Sequence, residues 1–457
     1  GAFVGGLIFG FCPAATMQAA GGHAGFAFNA FIPIFILTLF YNRTQRTHLS
    51  EFFVGASFAL ITLTALYFGY FAIYVAMYFF VFDLLSSKNK DRFTIVRNYF
   101  YSAMFAVILI LPFEYKSIYQ QITLSHETLA NSGRIQDIGQ LAALSSRPWD
   151  YFLPSIDNPI LGKYVFNFVR THLHWSNISE QTLYLGLVPM CLIVTGIALT
   201  ARGKFKDVNR SYFLLFSFGA LWMYFLSLPP LISIGNATVP TVSYFAHLIA
   251  PMFRVYARFG VLVNFFVACS AAVVLTHLYS RMKRTSYYLL LATLLPLLVI
   301  EYWSIPPGYA LPVNRPPEVY FWLAKQPKDL IVAEYPMSPG SDFAFYTYQF
   351  WQRIHHKKLV NGATQENIRA WEFYEKVKDF NNPDTPALLK AAGVSFVILH
   401  KEMYRDGLIP GPLKRYFPES VSSVTYNDGK MPAAPFRLKL VKSFGSDFVF
   451  SWEEGNN

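Results

Sequence analysis

The chain has 457 residues, of which 54% are apolar, 18% aromatic and only 14% charged, and its mean hydropathy is +0.32. Soluble domains carry about 25% charged residues, so an ordinary soluble enzyme is excluded, and the apolar residues fall in uncharged runs of membrane-span length. The net charge of +11 and pI of 9.3 raise nucleic acid as a partner, but the distribution of that charge, described below, excludes it.

Residues 1–12 read as the end of a helix that stops at Phe11-Cys12-Pro13, because proline cannot continue a hydrogen-bonded helix interior. The chain opens with Gly1 and reads as mid-helix from its start, so an N-terminally truncated chain is expected. Apolar spans follow at 25–41, 52–68, 70–85, 98–114, 183–200, 211–228, 258–279 and 286–304, which makes eight or nine helices with the opening stretch. The run 52–85 is too long for one span and is split near Gly69. Cys12, Cys191 and Cys269 all lie in apolar runs, so neither a disulfide framework nor a zinc site is indicated. These features define a multispan region over 1–309 with one long loop, 115–182.

From about residue 310 the composition becomes ordinary and the pattern reads as an α/β domain, 310–457. Strands are expected at Asp329–Tyr335 and Val394–His400. Helices are expected at 342–354, 366–379 and Pro386–Ala392, with Gly393 as a stop signal. A late hairpin is expected from Phe436–Lys442 and Phe448–Trp452.

Charge sets the orientation. The loops 42–51, 86–97, 201–210 and 280–285 hold thirteen Lys/Arg and three acids, a surplus of ten that is nearly the whole net charge. The longer loop 115–182 holds only five Lys/Arg. Short basic loops stay in the cytoplasm. The loops 115–182 and 229–257 and the C-terminal domain are therefore expected outside, the domain being extracytoplasmic, in a multi-pass protein of the plasma or inner membrane. The basicity is a topology signal and does not mark a nucleic-acid face, which would need a basic patch on a folded surface.

Chemistry-bearing residues concentrate in the external segments. Loop 115–182 carries the acids Asp150, Asp157 and Glu180, and the flat faces of Trp149, Tyr151 and Trp175, on which sugars stack. An interfacial aromatic belt with solvated acids is the plain alternative. Arg254 and Arg258, four residues apart, are expected on one helical face at the outer end of a span, where two guanidinium groups make a fork for phosphate. His23 lies in a glycine-rich turn. His355-His356 is a weak metal pair, since adjacent side chains diverge by about 100° on a helix. No HExxH, P-loop, strand-borne GxGxxG or GxSxG occurs. A transferase working outside the membrane has no nucleotide sugar, so its donor would be a lipid carrier.

Several stretches run in order over most of the chain: Gly5–Phe11 with Gly22-His23 and Pro33; Tyr67–Tyr74; Asp150–Pro154 with Pro159; Glu180 with Tyr184-Leu185-Gly186; Arg254 with Tyr256–Phe259; and Glu334-Tyr335-Pro336 with His356 and Asn361-Gly362. In these the chain resembles the YfhO-like group of membrane proteins, placed with the GT-C glycosyltransferases. The resemblance implies a GT-C-like helical membrane bundle followed by an extracytoplasmic α/β domain. It implies transfer of a sugar from a polyprenyl-phosphate donor to an envelope glycan, lipid or protein acceptor, with a divalent metal as an optional cofactor. It also implies that the usual catalytic acid belongs to a loop preceding Gly1, so Asp150 and Glu180 stand as candidates only. Arg254 and Arg258 would then bind phosphate, and Trp149, Asp157, Trp175 and His23 the substrate. A lipid-linked substrate flippase and a non-catalytic envelope assembly protein are the alternatives.

Overall fold

The structure is a computed structural model. It describes the chain apart from residues 22, 24–29, 124–134, 175–177, 206, 236, 307–313, 339–342, 363–367, 407–429, 431–437 and 454–457. The chain divides into two compact units, one of residues 1–124 with 136–306, the other of 125–135 with 307–457.

The first unit is helical. Among the described residues five segments are long and apolar enough to cross a membrane: Ala2–Ala20, Leu66–Ser86, Asp91–Tyr119, Tyr256–Arg281 and Arg284–Tyr302. The shorter His48–Thr64 and Leu187–Ala201 are also apolar, and Phe31–Gln45 and Asp207–Ser227 are helices of 15 and 21 residues. Over their described residues the eight expected spans thus fall on helices, with 52–68 shared between two of them and residues 25–29 of the first span outside the described residues. Outward faces carry large apolar side chains such as Leu37, Phe113, Leu289 and Val299, a surface that water would not stabilise but hydrocarbon does. This is a membrane protein. The N-terminal segment breaks where proline requires it: Ala2–Gly10 stops, and Pro13 opens Pro13–Ala20 at the first helical turn, where its missing N–H costs nothing.

The break in the long apolar run differs from expectation. It falls at Ala65, which is extended (φ −158°, ψ 123°) between His48–Thr64 and Leu66–Ser86. Gly69 lies inside the second helix. A Cβ there would sit 2.5 Å from Thr62 Oγ1, so this glycine serves close packing of the two helices and makes no turn.

Gly260–Arg281 is the buried axis of the unit. Val261, Leu262, Val263, Phe266, Ala268, Ala271, Val274 and Leu275 are all inaccessible to solvent, and Ala2–Gly10, Leu187–Ala201 and Asp207–Ser227 pack around it. Within 115–182 the chain forms short helices at Ile138–Ala143, Gly162–Thr171 and Ile178–Gln181, and a 3-10 turn at Pro148–Tyr151. Strands β1 (Leu231–Ile234) and β2 (Ala237–Pro240) form an antiparallel hairpin.

The second unit is α/β. Strands β3 (Ile331–Tyr335), β4 (Lys358–Leu359), β5 (Val394–His400), β6 (Leu438–Phe444) and β7 (Asp447–Trp452) form a mixed sheet in the order β4-β3-β5-β7-β6, with β3 parallel to β4 and β5 and the other neighbours antiparallel. Alternation along the strands fills both faces. Ala333, Tyr335, Val397 and Leu399 pack with Leu389 and Phe380 on one side, while Val332, Ile398 and Val449 pack with Tyr320, Leu323 and Trp351 on the other. Helices Phe343–His355, Ile368–Val377 and Thr385–Ala391 stand where the pattern places them, and Gly393 (φ +76°) follows the last.

Candidate functional site

The residues singled out in the loops of the first unit converge in part. Glu180, in the one-turn helix Ile178–Gln181, is buried. Its Oε1 accepts from Arg258 Nε at 2.9 Å and Nη2 at 2.5 Å, and its Oε2 accepts from Gln18 Nε2 at 2.9 Å. Gln18 Nε2 also donates to the Ser179 carbonyl at 3.2 Å, which fixes the orientation of its amide. Gln18 Oε1 therefore accepts from His23 Nδ1 at 2.8 Å. That contact places the imidazole proton on Nδ1 and leaves Nε2 as the ring's basic atom. His23 Nδ1 is 3.9 Å from Glu180 Oε1. Burial pushes the His23 pKa below its ordinary value; Glu180 opposes the shift and Arg258 adds to it. The cluster joins the N-terminal helices, the end of the long loop and the start of the buried axis, three segments far apart in sequence.

Arg254 and Arg258 do not share a helical face. Val255 between them is non-helical (φ −98°, ψ 78°), Tyr256–Phe259 is a 3-10 turn, and the α-helix begins at Gly260. Tyr67 links the two instead: its hydroxyl accepts from the Arg254 backbone N–H at 3.2 Å, and its ring lies 5.1 Å under the Arg258 guanidinium. Arg254 Nη1 donates to Gln140 Oε1 at 3.3 Å, and Gln140 is its side chain's hydrogen-bond partner among the described residues. A guanidinium has five N–H donors, so Arg254 keeps capacity for an anion, whereas Arg258 is committed to Glu180. Beneath them Tyr70 hydrogen-bonds Tyr256 (2.7 Å) and Tyr74 (3.1 Å) and stacks on Phe253 at 4.1 Å.

Asp150 is placed apart from that ion pair. It is buried, and its Oδ2 accepts from the Arg147 N–H at 2.6 Å and faces His174 Nε2 at 3.3 Å. His174 Nδ1 contacts the Ala143 carbonyl at 2.7 Å. Both ring nitrogens thus face acceptors, an arrangement that holds the loop in shape. Trp149 lies edge-on to Phe168 (6.2 Å) and His172 (5.9 Å) beside Asp150, in a crevice of about 20 Å³ that admits no more than a water. Asp157 is buried; its backbone N–H donates to Ser155 Oγ and its carbonyl accepts from Ile305 N–H. Trp175 lies outside the described residues.

Residues not singled out from the sequence complete the first unit. Gln18, Gln140 and His174 are examples. Glu301, at the end of Arg284–Tyr302, accepts from the N–H groups of Leu187 (2.7 Å) and Val188 (3.2 Å) and so caps Leu187–Ala201. Gly186 (φ +90°) precedes that helix, and a Cβ there would lie 2.6 Å from Glu301 Oε1.

The second unit has its own buried polar group. Glu334 Oε2 accepts from the Tyr320 hydroxyl at 2.8 Å and from His400 Nε2 at 2.9 Å, and His400 Nδ1 lies 2.9 Å from Asp447 Oδ1, its cross-strand neighbour on β7. Asn361 exchanges two hydrogen bonds with the Glu334 backbone, at 2.8 and 2.6 Å. Burial alone would lower the His400 pKa, but the hydrogen bonds and charges of Asp447 and Glu334 overcome it and raise it to about 9. This group is sealed inside the sheet, so it holds the fold together. It accounts for Glu334 and Asn361 of the sequence pattern. His356 ends its helix with φ +53°, beside a buried His355. Among the described residues no three His, Cys, Asp or Glu side chains gather to hold a metal.

No family model and no curated protein matches the sequence. Among solved structures the chain is similar to the archaeal oligosaccharyltransferase AglB from Archaeoglobus fulgidus in complex with an inhibitory peptide and a dolichol-phosphate, at 13% identity and a TM-score of 0.40, covering 93% of this chain and 56% of that one. The chain thus spans little more than half the length of that structure. At this level of identity no residue role transfers from it. What fold and site define together is a multi-helix membrane protein with a separate α/β unit.

Proposed function

We propose that the chain is an integral membrane glycosyltransferase of the GT-C type, transferring a sugar from a polyprenyl-phosphate donor to an acceptor of the cell envelope. The single observation that carries this reading is the buried Glu180–Arg258 pair, with His23 and Arg254 at its edges, near the ends of apolar helices away from the basic loops. Such a cluster suits a lipid-linked anion. Arg254, with N–H donors to spare, takes charge growing on the leaving phosphate as the glycosidic bond breaks. Arg258, fixed by Glu180 and Tyr67, supports that field. Glu180 is engaged by three donors, so its role is to orient Arg258 and not to accept the acceptor's proton. His23 faces the sugar or acceptor, and Asp150 holds the loop that carries Trp149.

The distribution of Lys/Arg supports a plasma or inner membrane location with the cluster and the α/β unit outside. A flippase is less well supported, because Asp83 and Glu301 lie at helix ends, Asp83 paired with Arg43 and Glu301 capping a helix.

The test uses purified protein reconstituted in liposomes with a radiolabelled polyprenyl-phosphate sugar, with magnesium and with EDTA. R254A, which breaks no ion pair among the described residues, is expected to reduce transfer at least tenfold while its thermal stability is retained. Unchanged transfer in R254A would remove the phosphate role. Lipid translocation without transfer would favour the flippase.

A further inference from the structure

The end of the helical unit that carries Arg43 and Lys88 contains a second arrangement, unrelated to the Glu180 cluster. Helices Phe31–Gln45, His48–Thr64, Leu66–Ser86 and Asn89–Thr123 enclose two cavities that share Leu39 and Tyr99 in their walls and therefore adjoin. The first, about 450 Å³, is polar and is lined by Arg43, Arg46, Lys88, Asp83 and Asp91. The second, about 510 Å³, is apolar and is lined by side chains such as Phe58, Met77, Val96, Phe100 and Val107.

Charge within the polar cavity is not balanced. Arg43 Nε lies 2.8 Å from Asp83 Oδ1, and Tyr99 donates to Asp83 Oδ2 at 3.3 Å, so Arg43 offsets Asp83 in charge. Of the other lining charges, Arg46 and Lys88 exceed Asp91 by one. Both are exposed, and Arg46 adopts the left-handed conformation (φ 52°) as its helix ends, which turns the chain there. A surplus cation beside a hydrocarbon-lined groove matches a molecule with an anionic head and an apolar tail.

We propose that these adjoining cavities bind an anionic phospholipid, with its phosphodiester at Arg46 and Lys88 and an acyl chain in the groove along Met77 and Phe100. The inference needs only the membrane setting and does not rest on glycosyl transfer. A zwitterionic lipid would bring its own cation against Arg46 and Lys88, so the site discriminates by headgroup charge. A free phosphate would leave the groove unused.

The experiment is lipid binding to the purified full chain in detergent, read by native mass spectrometry and thermal stability, with phosphatidylglycerol, phosphatidylcholine and inorganic phosphate as separate probes. Phosphatidylglycerol is expected to bind and raise the melting temperature; phosphatidylcholine and phosphate are not. A Lys or Arg near an anionic lipid headgroup contributes about 1 kcal/mol, so R46Q/K88Q is expected to weaken phosphatidylglycerol about 30-fold, at about 1.4 kcal/mol per decade. M77W, which fills the groove without touching the charges, is expected to weaken it as well and serves alone if the double variant is unstable. Equal binding of the two lipids, or unchanged affinity in either variant, overturns the proposal. Full stabilisation by phosphate alone overturns the lipid assignment in favour of a free anion.

Discussion

Alkaline pH is expected to loosen the sheet of the C-terminal unit. His400 is buried between Glu334 and Asp447, and its pKa is raised to about 9 against about 6.5 for an unperturbed imidazole in an unfolded chain. A group whose folded pKa is raised stabilises the fold fully below the unfolded value and loses that contribution as pH climbs through the folded one. The window is therefore about pH 6.5 to 9, with stability falling as pH rises. At about 1.36 kcal/mol per pKa unit the contribution is about 3 kcal/mol, which corresponds to about a hundredfold in local opening. The assay is hydrogen exchange of the β5 amides Val397–Leu399 in the full-length protein, corrected for intrinsic exchange rates, between pH 6 and 9.5. Protection should fall about a hundredfold in the native chain and stay flat in H400Q, which starts lower. The reasoning is wrong if the native chain shows no slope, or if H400Q keeps the same slope.

Other substitutions test the helical unit and the sheet. E180A and R258A should each cost about 3–5 kcal/mol, since each removes one partner of a largely buried ion pair; the double variant should cost far less than their sum, and additive melting shifts would show that the pair is not coupled. G186A places a Cβ on Glu301 at a positive φ and should cost about 1–3 kcal/mol, seen as a lowered melting temperature in detergent. E301A removes the acceptor of two helix N–H groups and should cost about 1–2 kcal/mol by the same measurement. N361A strips two hydrogen bonds from buried backbone of β3 and should cost about 2–4 kcal/mol, with faster exchange at Glu334 and Tyr335 as its mark; unchanged exchange there would argue against the assigned role.

Periodicity and composition were sufficient for the long helices and the buried strands, but not for the β1–β2 hairpin or for β4. A membrane helix satisfies its backbone internally, so an uncharged run of the right length is close to a complete statement of structure, and the eight runs are helical over most of their described residues, with a break at Ala65. In the second unit, strands buried on both faces read as continuous apolar stretches, which is why Val394–His400 was legible to the residue. The place of the helix break was not, because Gly69 looks like a turn until Thr62 is seen packed against it. The arginine pair was legible as residues but not as geometry: four-residue spacing suggests one face, and the non-helical Val255 sends Arg258 to Glu180 and Arg254 to Gln140. Asp150, Asp157 and Glu180 looked alike in sequence. Only the tertiary structure separates them, by giving Glu180 a buried guanidinium, Asp150 a histidine and a backbone N–H, and Asp157 a buried place beside Ser155. The partners that make the clusters, Gln18, Tyr67, His174, Glu301 and His400, lie tens to hundreds of residues from what they touch. Sequence by itself determines where the long apolar helices and the buried strands β3 and β5 of this chain lie, because those follow from local hydrogen bonding and local hydrophobicity. Which charges meet is decided by long-range packing, and that appears only once the chain is folded.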